Sequence, residues 1–183
     1  DGMGGHMHGE LAAQIAVQTL TEQFQKMAKP RLDDPMAFLA DATTGAHFAI
    51  NDYAVEQDLL EIPHTTCVAA VIQDNMAYWA HVGDSRLYLF SDGSLIARTE
   101  DHTAVAQLVR DGIISEEEAG IHPERNRVSN CLGGYAVPQV ECNAPIPLHD
   151  ADTMLLCTDG IWGVINAPEL SALLHAYTLD DAV

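Results

Sequence analysis

The chain has 183 residues, 48% hydrophobic and 19% charged, which suits one folded domain with a sizeable core and excludes a disordered segment. Eight Lys plus Arg stand against 27 Asp plus Glu, a formal net charge of −19. That charge argues against nucleic acid as a partner, because phosphates need a basic face, and it suits either a soluble acidic surface or a protein that gathers cations.

In chain order, Leu11 to Ala28 reads as a helix with Ala13, Val17, Leu20, Phe24 and Met27 on one apolar stripe, stopped by Pro30. A second helix is expected from Pro35 to about Gln57, with Leu39, Ala46, Ile50 and Tyr53 on one face. The period then changes. Cys67–Gln73, Met76–Val82, Leu87–Ser91 and Ser94–Arg98 are apolar, β-rich runs. Asp74-Asn75 and Asp92-Gly93 supply turns, and the four runs are expected to form one antiparallel meander. Val105–Asp111 reads as a short helix closed by Gly112, and Ser115 with Glu118 matches a capping box. Thr153–Thr158 reads as a buried strand, and Asn166, Pro168 and Glu169 open a last helix with Leu170, Leu173, Leu174 and Tyr177 on one face. Helices, then strands, then a mixed segment make the fold class α+β rather than alternating β-α-β.

The cysteines are Cys67, Cys131, Cys142 and Cys157, none in a C-x-x-C spacing. They read as free thiols of a reducing, cytoplasmic compartment, not a disulfide scaffold or zinc knuckle. No apolar run has the length of a membrane span and no signal peptide is visible.

Three loops place aspartate beside glycine or serine at the edge of an apolar segment: Asp1-Gly2, Gly83-Asp84-Ser85-Arg86 and Thr158-Asp159-Gly160. If the fold brings these ends together, the converging carboxylates repel unless a cation sits among them. Oxygen-only ligands favour Mg²⁺ or Mn²⁺. Asp-Gly is equally an ordinary turn, so spacing alone leaves both readings open. The opening loop lacks the Lys and Ser/Thr of a phosphate-binding loop and has no strand before it for a dinucleotide loop. His6-Met7-His8 is as well read as a solvated turn as a transition-metal site.

Six pieces then fall in a telling order: "DGMGGH" (1–6), "HTTCVAAVI" (64–72), "AHVGDSRLYLFSDGSL" (80–95), "EDHT" (100–103), "HPERNRVSNCLGG" (122–134) and "LLCTDGIWGVI" (155–165). Together they resemble the metal-dependent serine/threonine phosphatases of the protein phosphatase 2C type, bacterial in style, across nearly the whole chain. The resemblance implies a β-sandwich of two antiparallel sheets flanked by helices on both sides, with a metal centre at one end. It implies that Asp1 and the Gly2 carbonyl hold Mn²⁺ or Mg²⁺, that Asp159 holds the second of two ions, and that Asp84 with Asp159 holds the third, weaker ion of many bacterial members. Asp1 and Asp159 would thereby carry the catalysis, in which a metal-activated water attacks phosphoserine or phosphothreonine with no covalent enzyme intermediate.

The family's histidine that follows the first Asp-Gly in some members is Met3 here, and His64 stands where a glycine is common. His102 and His122 match family positions and read as structural. Thr103–Asn130 matches the family's flap beside the active site. Its Arg110, Arg125 and Arg127 are expected to pair with the Glu116-Glu117-Glu118 run rather than to touch a phosphopeptide. Residues 1–183 read as a single phosphatase domain that lacks the family's first and last strands, and Asp180-Asp181 is not assigned the role of the family's last Asp-Asn ligand. The partners implied are phosphorylated proteins, including a serine/threonine kinase, with no nucleic acid, no membrane in this segment, and a monomeric state. A pseudophosphatase or phosphoprotein-binding module without turnover is the alternative, and a regulatory domain fused to a sensor a third reading. Asp1, Asp84 and Asp159 together favour the enzyme, since a binding module has no need of all three.

Overall fold

The computed structural model describes residues 1–3 and 8–176, so His6, Tyr177 and Asp180-Asp181 lie outside the described residues. Two helices come first, α1 (Gly9–Met27) and α2 (Pro35–Glu56). Pro35 sits in the first turn of α2, where its missing N–H costs nothing, and the Asp34 carboxylate accepts from the Met36 and Ala37 amides. The buried face of α1 follows the expected stripe only in part: Leu20 packs against the core and Phe24 meets Phe38 edge-on. Ala12 and Ala16 are fully or nearly fully buried, whereas Val17 is 67% and Met27 57% exposed. The reason is close packing on α2: the small side chains let the two helices approach, Ile15 and Leu20 pack beside them, and Val17 and Met27 are turned outward.

The strands are β1 (Cys67–Gln73), β2 (Met76–Val82), β3 (Arg86–Ser91) and β4 (Ser94–Arg98), then short β5 (Glu141–Cys142) and β6 (Ile146–Pro147), then β7 (Asp152–Cys157). Both hairpin turns have φ > 0 at their two central residues, Asp74-Asn75 and Asp92-Gly93, as two-residue hairpins require. The expected single meander is corrected. The hairpins lie in different sheets: β1-β2-β5, with β6 also on β2, and β4-β3-β7. The chain changes sheet through the loop between β2 and β3, starting at Gly83, whose φ is +102°. A Cβ there would stand 2.5 Å from the Thr66 Cγ2, so the crossover needs glycine.

All sheet pairings are antiparallel. Alternation along each strand separates the layers. Ala77 and Trp79 of β2 meet Leu87 and Leu89 of β3 between the sheets. Ala80 faces α2 with Leu39 and Ala42, and Tyr88 and Phe90 face the other way, against Leu170 and Trp162. This is an α+β sandwich of two antiparallel sheets with helices outside each, as expected. Strands buried on both faces explain why their sequences read as continuous apolar runs. β7 is less buried than expected, with Leu156 41% exposed; among the described residues it pairs with β3 alone.

The remaining helices are α3 (Ala104–Arg110), α4 (Glu116–Gly120), α5 (Asp159–Trp162) and α6 (Ala167–Ala176). The Ser115–Glu118 capping box forms as expected, and Asn166 and Glu169 make a second reciprocal pair at the start of α6. Among the described residues no helix is long and apolar enough to cross a membrane.

Candidate metal centre

The three aspartate loops are built by different means. Asp1–Met3 is pinned to the chain before β1. The Asp1 carbonyl accepts from the Thr66 amide at 2.9 Å and the Thr65 hydroxyl at 2.8 Å, and the Met3 amide donates to the His64 carbonyl. Thr65 is bridged in turn to Leu132, so three backbone segments lie side by side. Gly2 passes so close to the start of α1 that a Cβ would stand 2.2 Å from the Gly9 carbonyl carbon. Gly2 and Gly9 therefore serve backbone-to-backbone packing between loop and helix. The Asp1 side chain is left exposed.

The second loop starts where the chain changes sheet. His102 clamps it from outside: its amide donates to the Gly83 carbonyl at 3.0 Å, and its Nδ1 accepts from the Gly83 amide at 3.2 Å. Ser85 Oγ lies 2.7 Å from Thr66 Oγ1, which ties this loop to the segment that pins Asp1. Asp84, between them, is only 5% exposed. Burial, then the negative charges of Asp101 and Asp159, push its carboxyl up to about 6, against a backbone hydrogen bond and Arg86, which work the other way. Asp84 and Asp159 are thus close enough to repel.

The third loop puts Asp159 at the first position of α5, directly after β7, with its carbonyl accepting from the Gly163 amide at 2.8 Å. Gly160 has room for a Cβ, its nearest neighbour being Thr158 Oγ1 at 3.7 Å.

Sequence reading missed Asp101, although it lies inside the "EDHT" stretch. The Arg86 guanidinium makes a two-pronged bond to it, Nε to Oδ1 at 2.8 Å and Nη2 to Oδ2 at 2.7 Å. Nη1 donates to Tyr88 Oη, and the guanidinium lies 3.6 Å over the Trp162 ring. Burial opposes the charge of Arg86, yet these bonds hold its pKa above the ordinary range. The clamp fastens β3, the segment before α3 and the helix that starts at Asp159.

Among the described residues, His81, His102 and Glu141 have donor atoms all within 4.8 Å of one another, whereas the carboxylates of Asp1, Asp84 and Asp159 are more widely spread. The histidine rings stack at 4.6 Å. His81 Nε2 faces the Glu100 carbonyl, so it carries a hydrogen. His102 Nδ1 faces two N–H donors, from Gly83 and Asn130, so the hydrogen of the neutral ring is on Nε2, toward Glu141. The lone pair that a metal would use on His102 is already holding the Gly83 loop. Burial lowers the pKa of His81, which favours the neutral ring. His122 Nδ1 accepts from the Glu124 amide within a turn.

The flap-like segment departs from the expected pairing. Arg110 bonds Glu100, and Arg127 bonds Glu124, while Glu118 accepts from the Ser115 amide. The Glu116-Glu117-Glu118 run is turned to capping and solvent, because a capping box fixes Glu118 backward onto its own helix start. All four cysteines are free, and burial raises each thiol, Cys67 to about 11.

A family model described as protein phosphatase 2C matches residues 1–179. The serine/threonine phosphatase stp of Listeria welshimeri is 34% identical over 177 residues, covering 96% of this chain and 70% of that one. The crystal structure of the Mycobacterium tuberculosis serine/threonine phosphatase PstP/Ppp superposes with a TM-score of 0.88 at 31% identity, over 100% of this chain and 75% of that one. A structure of the PstP catalytic domain in complex with two manganese ions gives a TM-score of 0.80 at 29% identity, over 100% of this chain and 74% of that one.

Proposed function

This chain belongs to the protein phosphatase 2C family, and we propose that Asp1, the Gly2 carbonyl, Asp84 and Asp159 hold the divalent ions with which it dephosphorylates phosphoserine and phosphothreonine in proteins. The reaction is the family's metal-dependent hydrolysis, with Mn²⁺ or Mg²⁺ as cofactor. When bound, the ions supply the positive charge that acidifies water for attack on phosphorus and that neutralises the phosphoryl oxygens.

The observation that carries the assignment is Asp84. A carboxyl only 5% exposed and raised to about 6 by burial and two neighbouring aspartates is a group awaiting a cation. The donor set fits the ions, since it is all oxygen and hard. Asp1 and Asp159 would hold the ions that orient the phosphoryl group. Thr65, Thr66, Ser85 and His102 hold the backbone that carries the ligands. Met3 has no proton to give, so the departing serine or threonine oxygen takes its proton from water.

We further read residues 1–183 as one catalytic domain in which 103–130 forms a flap, working as a monomer in the cytoplasm, with a serine/threonine kinase among its substrates. The test is hydrolysis of a phosphothreonine peptide with Mn²⁺ titrated in. Activity should rise with the metal and fall by at least about 100-fold in Asp159→Asn. Equal activity of the variant and the parent at saturating Mn²⁺ would refute the assignment.

A further inference from the structure

A cavity of about 470 Å³ lies between α3–α4 on one side and β3, β4 and the end of α5 on the other. Arg86, Arg98, Arg110 and Arg125 line it. They are half of the eight Lys and Arg residues in a chain of net charge −19. We propose that this cavity is a substrate subsite that takes an anionic side chain, a carboxylate or a second phosphate, flanking the phosphoresidue to be hydrolysed. The inference rests on the phosphatase reading for its substrate class, but not on the metal ligands.

Charge accounting separates the four arginines. Arg86 is consumed by Asp101 and Arg110 by Glu100. Arg98 and Arg125 are exposed and, among the described residues, make no ion pair or hydrogen bond through their side chains. Both line the cavity, Arg98 from the end of β4 and Arg125 from the turn after α4. Of the three carboxylates that line it, Glu100 and Asp101 are already paired, which leaves Glu116 against two free guanidinium groups. The lining also includes the apolar side chains of Val105, Val109 and Trp162. An anion that enters the cavity is partly removed from water, which strengthens its attraction to the guanidinium groups there.

The cavity also shares structure with the metal centre. Trp162 and Gly163, on its wall, are three and four residues after Asp159, and Arg86 is two residues after Asp84. A peptide whose phosphate sits among the aspartates therefore has its flank within the reach of this wall. The rest of the molecule repels an acidic peptide; here the sign is reversed. Specificity for acidic flanks follows from place, not from overall charge.

The experiment compares the full chain with its Arg98→Ala/Arg125→Ala variant on three substrates: p-nitrophenyl phosphate, a phosphothreonine peptide with glutamate flanks, and the same peptide with serine flanks. A fourth peptide with a flanking phosphoserine distinguishes a phosphate from a carboxylate as the preferred anion. For the acidic peptides kcat/KM should fall about tenfold, mostly through KM, while the serine-flanked peptide and p-nitrophenyl phosphate change less than about twofold. The difference should vanish at roughly 0.5 M salt. An equal loss on all substrates, or none on the acidic peptides, overturns the proposal. Glu116→Gln should tighten the acidic peptides, because it removes the competing carboxylate. Fluorescence anisotropy of the labelled glutamate peptide, measured in EDTA, reads the same contact without turnover. Weakening there in the double variant, with no metal-dependent activity in the parent, would sink the metal assignment and leave the subsite standing. Unchanged anisotropy would sink the subsite.

Discussion

The two ends of the Gly83–Arg86 loop are treated in opposite ways. Arg86 is given every partner a guanidinium can take, namely a two-pronged carboxylate, a phenol and an indole face. Asp84, two residues earlier and as deeply placed, is given neighbours of its own sign. The first arrangement fixes structure. The second leaves a local deficit of positive charge that an ion removes. A fold that can pair a charge so completely at one end of a loop, and declines to at the other, marks the second end as the place where something binds.

Three substitutions would break or sharpen that contrast. The largest effect is expected for Arg86→Leu, which strands Asp101 with its side chain only 12% exposed. Loss of one partner of a buried pair should cost about 3–5 kcal/mol, read by urea unfolding. Restoration of stability by Asp101→Leu in the same chain would confirm that the stranded charge, not the lost packing, is responsible.

Asp84→Asn should act with the reverse sign. The folded carboxyl titrates near 6 against an ordinary 3.8, so the folded state holds its proton more firmly than the unfolded chain. Stability is therefore present in full below the lower value and is lost as the pH rises through the interval between the two. In EDTA the variant should be stabilised by up to about 3 kcal/mol at pH 8 and by almost nothing at pH 4. With Mn²⁺ the order should invert, since the parent gains binding energy that asparagine cannot match. A variant less stable than the parent in EDTA at pH 8 would show that Asp84 is not held under repulsion.

The smallest effect is expected for Ser115→Ala. It removes the hydroxyl that accepts from the Glu118 amide at the start of α4. A loss of about 0.5–1 kcal/mol is expected, confined to the segment around the arginine cavity, with activity on p-nitrophenyl phosphate unchanged. Proteolysis of that segment against the rest of the chain would measure it.

Local signals in the sequence were read well, and relations between distant segments were not. The bounds of β1 and β2, the two hairpin turns and the Ser115 cap depend on neighbours within a few residues, and all were legible. The sheet to which each hairpin belongs was not, because nothing in "VGDSR" distinguishes a turn that pairs β2 with β3 from one that carries the chain across the sandwich. Nor was the buried face of α1 fully legible: the stripe of large side chains contains Leu20, which packs inward, but also Val17 and Met27, which do not, whereas the helix contact selects Ala12 and Ala16. At the site, the aspartates stood out beside their glycines, while Asp101 did not. It acts on Asp84 and Arg86 from 17 and 15 residues away, a coupling that no spacing announces. The pairing of Arg110 with Glu100 rather than Glu116 was hidden for the same reason.

The change of sheet at Gly83 has a consequence for how binding would spread. Asp84 is the first side chain after β2 leaves one layer and almost the last before β3 enters the other, so any displacement of its carboxylate pulls on both layers at once. Amide protons on β1–β2 and on β3–β7 should then slow their exchange with solvent together when a cation arrives, as two leaves of a book tighten when the spine is pressed.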